Sequence, residues 1–239
     1  MSLRLHLGGA PFPRMPDGSA GEWAGFFDGS AELVAKDWPP LLWWALFGPG
    51  DLAEARVADT EDAGTDEHAE LLDDWGATTY PYLVAERRAA VARLRGRRDG
   101  LTGLIGERYA PVVDAFAAYV DTRFGPYVLL RTGALAGDGD RVRPLFAETL
   151  ADLDRLGAGR GPAAGGPLSG LAADFRRWRH TDPVRLLSGT GPDWPDDGLR
   201  ECLAATAGDG SSPAHRAVAR WGAVALLVLG VVALWVRAA

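Results

Sequence analysis

Apolar and polar residues alternate from Ser2 to Leu7, and that period of two predicts a short strand ended by Gly8, Gly9 and two prolines. After a Pro/Gly-rich loop the period lengthens. Ala20 to Val34 reads as a helix with Ser19 as its N-cap. Pro40 to Phe47 follows as a short helix, apolar on nearly every side and opened by a proline suited to a first helical turn. Tyr80 to Arg98 reads as an amphipathic helix, with Leu83, Ala90, Val91 and Leu94 as its apolar stripe. Tyr109 to Arg123 is a further helix, closed by Phe124-Gly125-Pro126. Tyr127 to Thr132 is β-branched, aromatic and short, the strongest strand signal in the chain. Leu145, Phe146, Leu150, Leu153 and Leu156 then recur at helical spacing, in a helix expected to begin near Asp140 and stop before Gly157. Leu168 to Arg179 and Leu199 to Ala205 complete the expected helices.

The last apolar stretch has no period at all. Trp221 to Val236 is 16 residues without a charge, a helical length of about 24 Å against a hydrocarbon core of roughly 30 Å. Counting Ala217 to Ala219 closes the gap, because the Arg220 stem can lie along apolar surface while its head reaches the headgroups. Trp221 and Trp235 stand near the two ends, Leu226, Leu227 and Leu229 near the middle, and Arg237 beyond. The expectation is a single-pass tail anchor over 217–236 in a plasma (inner) membrane. Arg216 and Arg220 precede the span and only Arg237 follows it, which places the N-terminal domain in the cytoplasm. There is no Gly-x-x-x-Gly in the span, so no dimerisation through it is expected.

Composition narrows the function without naming it. A net charge of −7 argues against general nucleic-acid binding. One cysteine, Cys202, excludes an intrachain disulfide or a cysteine metal cluster, and it reads as a small buried residue rather than a nucleophile. Lys36 is the only lysine against 24 arginines, the mark of a GC-rich bacterial genome. Between Asp51 and Asp74 there are ten acidic residues and one basic residue, Arg56. Asp59 to Asp66 reads as a solvated loop, and Asp62, Asp66 and Glu70 lack the Gly and terminal Glu of a calcium loop. His6, His68, His180 and His215 share no metal spacing, so neither metal nor cofactor is expected.

Two clusters remain as candidate interaction residues. Arg87, Arg88, Arg95, Arg97 and Arg98 form a basic face for anionic headgroups, unless they pair with acidic neighbours or face water. Trp38, Trp43 and Trp44 form either a central core helix or a ligand pocket. No catalytic motif is present: there is no GxSxG elbow, phosphate-binding glycine loop, HExxH or kinase set.

The resulting expectation is a mainly α (α+β) fold with a small sheet of two or three short strands, in which SLRLHL and PYVLLRT pair, followed by one C-terminal transmembrane helix. The expected divisions are a soluble domain over 1–157, a Gly/Pro/Ala linker over 158–166, a short helical segment over 167–206, a polar spacer over 207–215 and the anchor over 216–239. The expected function is a non-enzymatic interaction domain, such as a scaffold, a regulator or an immunity or defence accessory. Its partners are the lipid bilayer, through 217–236, and an unidentified protein; the oligomeric state stays open. The alternatives are a membrane-tethered hydrolase using Asp/Glu and His residues, and a small-ligand or lipid sensor around Trp38 to Trp44.

Overall fold

A computed structural model describes residues 3–207. The chain divides into two compact units, Met1–Ala204 and Ala205–Ala239, and only the last residues of the final helix represent the second unit among the described residues.

The first unit is organised by a five-stranded, wholly antiparallel sheet. Its strands are β1 (Arg4–Ala10), β2 (Glu32–Lys36), β3 (Leu52–Arg56), β4 (Thr79–Glu86) and β5 (Tyr127–Arg131), in the spatial order β2-β1-β5-β4-β3. β1 and β5 pair as expected, with Leu7 opposite Leu130. The sheet of two or three strands is corrected to five. Three strands were hidden for separate physical reasons. Glu32–Lys36 (ELVAK) is composed largely of good helix formers, yet the Asp28-Gly29-Ser30 turn, with Gly29 at φ 69°, breaks the expected helix. The helix that remains before it, α1 (Glu22–Phe26), is five residues long. Thr79–Glu86 is buried on both faces for most of its length and so shows no alternation, and Pro81 further obscures it. Leu52–Arg56 is an edge strand of five residues inside an acidic stretch.

β1 also runs on through Gly8 and Gly9. A Cβ on Gly9 would stand 2.3 Å from the Gly125 nitrogen, so only glycine lets the strand lie so close to the turn entering β5.

The helices are α2 (Leu41–Trp44), α3 (Asp66–Trp75), α4 (Arg87–Gly96), α5 (Arg98–Ile105), α6 (Ala110–Arg123), α7 (Gly139–Gly157), α8 (Pro167–Trp178), α9 (Pro183–Ser188) and α10 (Asp197–Ala207). One face of the sheet, carrying Leu5, Leu7, Leu33, Leu83 and Leu130, packs on a single cluster that includes Trp43, Trp44, Phe116, Phe146, Phe175 and Leu187. The other face, with Ala10, Leu129, Tyr80 and Tyr82, has a thinner cover of Met15, Phe26 and Val57. Residues 158–166 turn the chain back. The Asp152 carboxylate accepts the Ala163 N–H at 2.9 Å, and Leu168 and Phe175 of α8 join the main cluster.

The expected fold class is corrected in a second respect: there is no transmembrane element among the described residues. No helix among the described residues is long and apolar enough to cross a membrane. The longest, α7, has 19 residues, but it carries charges such as Arg143, Glu148 and Asp154 along its length. The residues expected to form the anchor, among them Arg220, Trp221, Leu226, Leu227, Leu229, Trp235 and Arg237, lie outside the described residues. Cys202, expected in the interior, is exposed on α10.

Candidate functional site

The arginine-rich stretch is placed by β4 and two successive helices. Arg97 is 4% exposed, and its guanidinium donates to the carbonyls of Ala45 (2.9 Å) and Phe47 (2.6 Å) and to Asp154 Oδ1 (2.6 Å). Burial lowers its pKa, and the Asp154 charge works against that effect. Arg87 donates to the Phe124 carbonyl at 2.7 Å. Arg93 pairs with Asp51 (2.7 Å), Arg95 with Asp121 (3.2 Å) and Arg98 with Asp114 (2.7 Å). Arg88 is exposed. Four of these arginines therefore find carboxylates brought to them by tertiary structure.

Trp43 and Trp44 have no solvent exposure, and Trp38 is half-buried beside them. Phe146 stands edge-on to Trp44 at 4.6 Å. The Trp43 indole N–H donates to the Ser188 carbonyl at 2.7 Å and that of Trp44 to the Pro39 carbonyl at 3.1 Å, so both buried donors are satisfied.

Two open grooves lie elsewhere, along the turn into β2. One, of roughly 300 Å³, runs past Pro11, Phe26 and Phe124; the other, of roughly 570 Å³, past Glu32, Tyr119 and Pro192. They share Gly29, Ser30 and Arg123. The polar groups in them are largely engaged with the protein itself. Arg123 pairs with Asp193, and Ser30 Oγ donates to the Gly9 carbonyl at 2.9 Å. Burial raises the pKa of Tyr119, which packs on Trp194 at 5.0 Å.

The sheet also brings together His6 of β1, Glu32 of β2, which lines the second groove, and Arg131 of β5. Glu32 accepts from Arg131 and lies 2.7 Å from His6 Nδ1. Arg131 also lies over the Phe27 ring at 4.2 Å, and burial lowers its pKa to about 10. The His6 pKa is pushed down to about 4, first by burial and then by the charges of Arg131 and Arg4. The imidazole is therefore neutral at pH 7 and donates Nδ1–H to a carboxylate whose charge Arg131 already balances. Sequence reasoning missed this trio because its members stand on three strands, one of which reads as helix. Among the described residues, no group of three or more His, Cys, Asp and Glu side chains could hold a metal ion.

The other feature missed is α3. Thr65 caps it, accepting the His68 N–H at 3.1 Å. His68, Leu71, Leu72 and Trp75 follow helical spacing and make one stripe. Only Leu71 of that stripe packs on the sheet's second cluster. Leu72 is 44% and Trp75 38% exposed, and no residue of the helix is buried. Asp66, Glu67, Glu70, Asp73 and Asp74 cover the rest of its surface, and none is in an ion pair among the described residues. The helical stripe was legible in the sequence but was submerged in the surrounding run of acids.

No family model, curated protein or solved structure matches the chain.

Proposed function

We propose that the folded unit is a non-enzymatic protein-interaction module, and that α3 presents its contact face to a basic partner. The observation that carries this reading is the uncovered stripe of Leu72 and Trp75 on a helix that barely touches its own body. Ten residues are fewer than the roughly 12–15 an isolated helix needs to be even marginal in water. Asp73 and Asp74 stand in the last turn, where the helix dipole is already negative. Arginines or lysines around an apolar groove would relieve that repulsion while covering the indole, the helix-in-groove mode of recognition. The interaction is therefore expected to weaken with added salt.

The test compares partners co-purified from the native cell by the full chain and by a Leu72→Ser/Trp75→Ser variant. Loss of a partner from a variant with unchanged melting temperature supports the reading. An unchanged set of partners overturns it, as does a partner whose contact surface is acidic.

A further inference from the structure

The two edges of the sheet are finished differently. At β2 the chain covers its own edge: Val34 exchanges both backbone hydrogen bonds with Thr190, at 2.7 and 3.1 Å. Gly189 and Gly191 make this possible. A Cβ on Gly189 would meet the Trp43 ring at 2.6 Å, and one on Gly191 would meet the Glu32 carbonyl at 2.6 Å.

At β3 the direction of each backbone group follows from its neighbours. Thr132 Oγ1 donates to the Pro81 carbonyl, and Arg87 N–H donates to the Pro126 carbonyl at 2.9 Å. The odd-numbered residues of β4 therefore turn their backbone groups toward β5, and Tyr80 and Tyr82 turn theirs toward β3. Their partners are Ala55 and Ala53, and Val57 N–H continues the same ladder to the Thr78 carbonyl at 2.9 Å. Leu52, Glu54 and Arg56 consequently point their N–H and C=O groups away from the sheet. Among the described residues nothing pairs with them.

An open row of this kind is a template for another strand, and charged side chains along it restrict which strand fits. We propose that the strand is β3 of a second copy, paired antiparallel about a two-fold axis at Ala55. In that register Glu54 lies opposite Arg56 of the partner subunit, and Arg56 lies opposite Glu54 of the partner subunit. Both are hydrogen-bonded pairs with opposite charges face to face. Ala55 meets its own counterpart at the axis, where a small side chain permits close approach. Glu54 and Arg56 stand two apart on one face of the strand, where each is paired within its own chain, with Arg143 and Asp59. The contact is isologous and closes at two copies, so the edge is consumed without propagating. It uses none of the α3 side chains.

Sedimentation equilibrium of the full chain from low to high micromolar concentration tests this. A reversible dimer is expected. Glu54→Pro removes the outward N–H together with the Glu54 carboxylate and leaves the β3–β4 ladder intact, so it abolishes the dimer without altering the far-UV spectrum. Glu54→Arg and Arg56→Glu each set like charges opposite one another and weaken the dimer at least tenfold. The double variant restores opposite pairs and recovers most of the affinity. Because both substitutions also repel Arg143 and Asp59, recovery in the double variant cannot come from a repaired monomer. A chain that stays monomeric throughout overturns the proposal. So does a dimer that survives Glu54→Pro, because it must be held elsewhere.

Discussion

A guanidinium with almost no solvent contact needs acceptors for its donors, and Arg97 finds two in the carbonyls that end the Trp43–Phe47 segment. Its role is to close that segment rather than to display charge. Arg97→Ala is expected to lower stability by about 3–5 kcal/mol, because it leaves two interior carbonyls without a donor. Arg97→Lys, which loses the planar fork, should recover only part of this in urea unfolding. His6 supplies a second prediction. Its folded pKa of about 4 lies below the ordinary 6.5, so the unfolded chain binds the proton more tightly. The stability it contributes is present above pH 6.5 and is lost as the pH falls toward 4. His6→Asn keeps a donor for Glu32 but does not titrate, so its melting temperature should depend less steeply on pH across that interval. An unchanged slope would assign the acid sensitivity to other groups. Neither role was legible from sequence. A histidine in a strand and an arginine in a basic run carry no mark of what tertiary structure sets against them.

Among the elements, α3 is the one whose local chemistry and setting disagree. Its cap, Thr65, and the first-turn acids Asp66 and Glu67 suit a helix start, whereas Asp73 and Asp74 oppose its end. Thr65→Ala is expected to cost about 1 kcal/mol of local helix stability, seen as faster amide exchange over residues 68–75 with the rest of the unit unaffected. Replacing Asp73 and Asp74 with lysine should slow that exchange while weakening partner binding. If the lysine variant leaves binding untouched, Asp73 and Asp74 have no part in recognition. The covered edge of β2 depends on backbone shape in the same local way. Gly189 has φ 71° and abuts the Trp43 ring, so Gly189→Ala should destabilise by at least about 2 kcal/mol. It should also bare an edge and promote aggregation, measurable by light scattering.

At the scale of the whole unit, one apolar cluster contains Leu5 and Leu199 and includes residues on both sides of the 158–166 turn. Residues 5–199 are therefore expected to unfold together, with tryptophan fluorescence and far-UV circular dichroism giving one midpoint; an earlier separate transition for 167–199 would contradict this. The long amphipathic helices α6, α7 and α8 were legible because their stripes repeat locally, as was the pairing of β1 with β5, the two segments with the clearest strand character. Sequence alone also determined the acidic balance and the apolar, uncharged run from Trp221 to Val236. The other three strands were decided by tertiary structure. A strand gains its stability from neighbours distant in the chain, so ELVAK becomes β2 only beside β1, and TYPYLVAE becomes β4 only between β3 and β5. The same long-range pairing brings His6, Glu32 and Arg131 together, leaves the outer edge of β3 open and sets α3 against the sheet by little more than Leu71. Those features depend on which distant surfaces meet, and no local period encodes that.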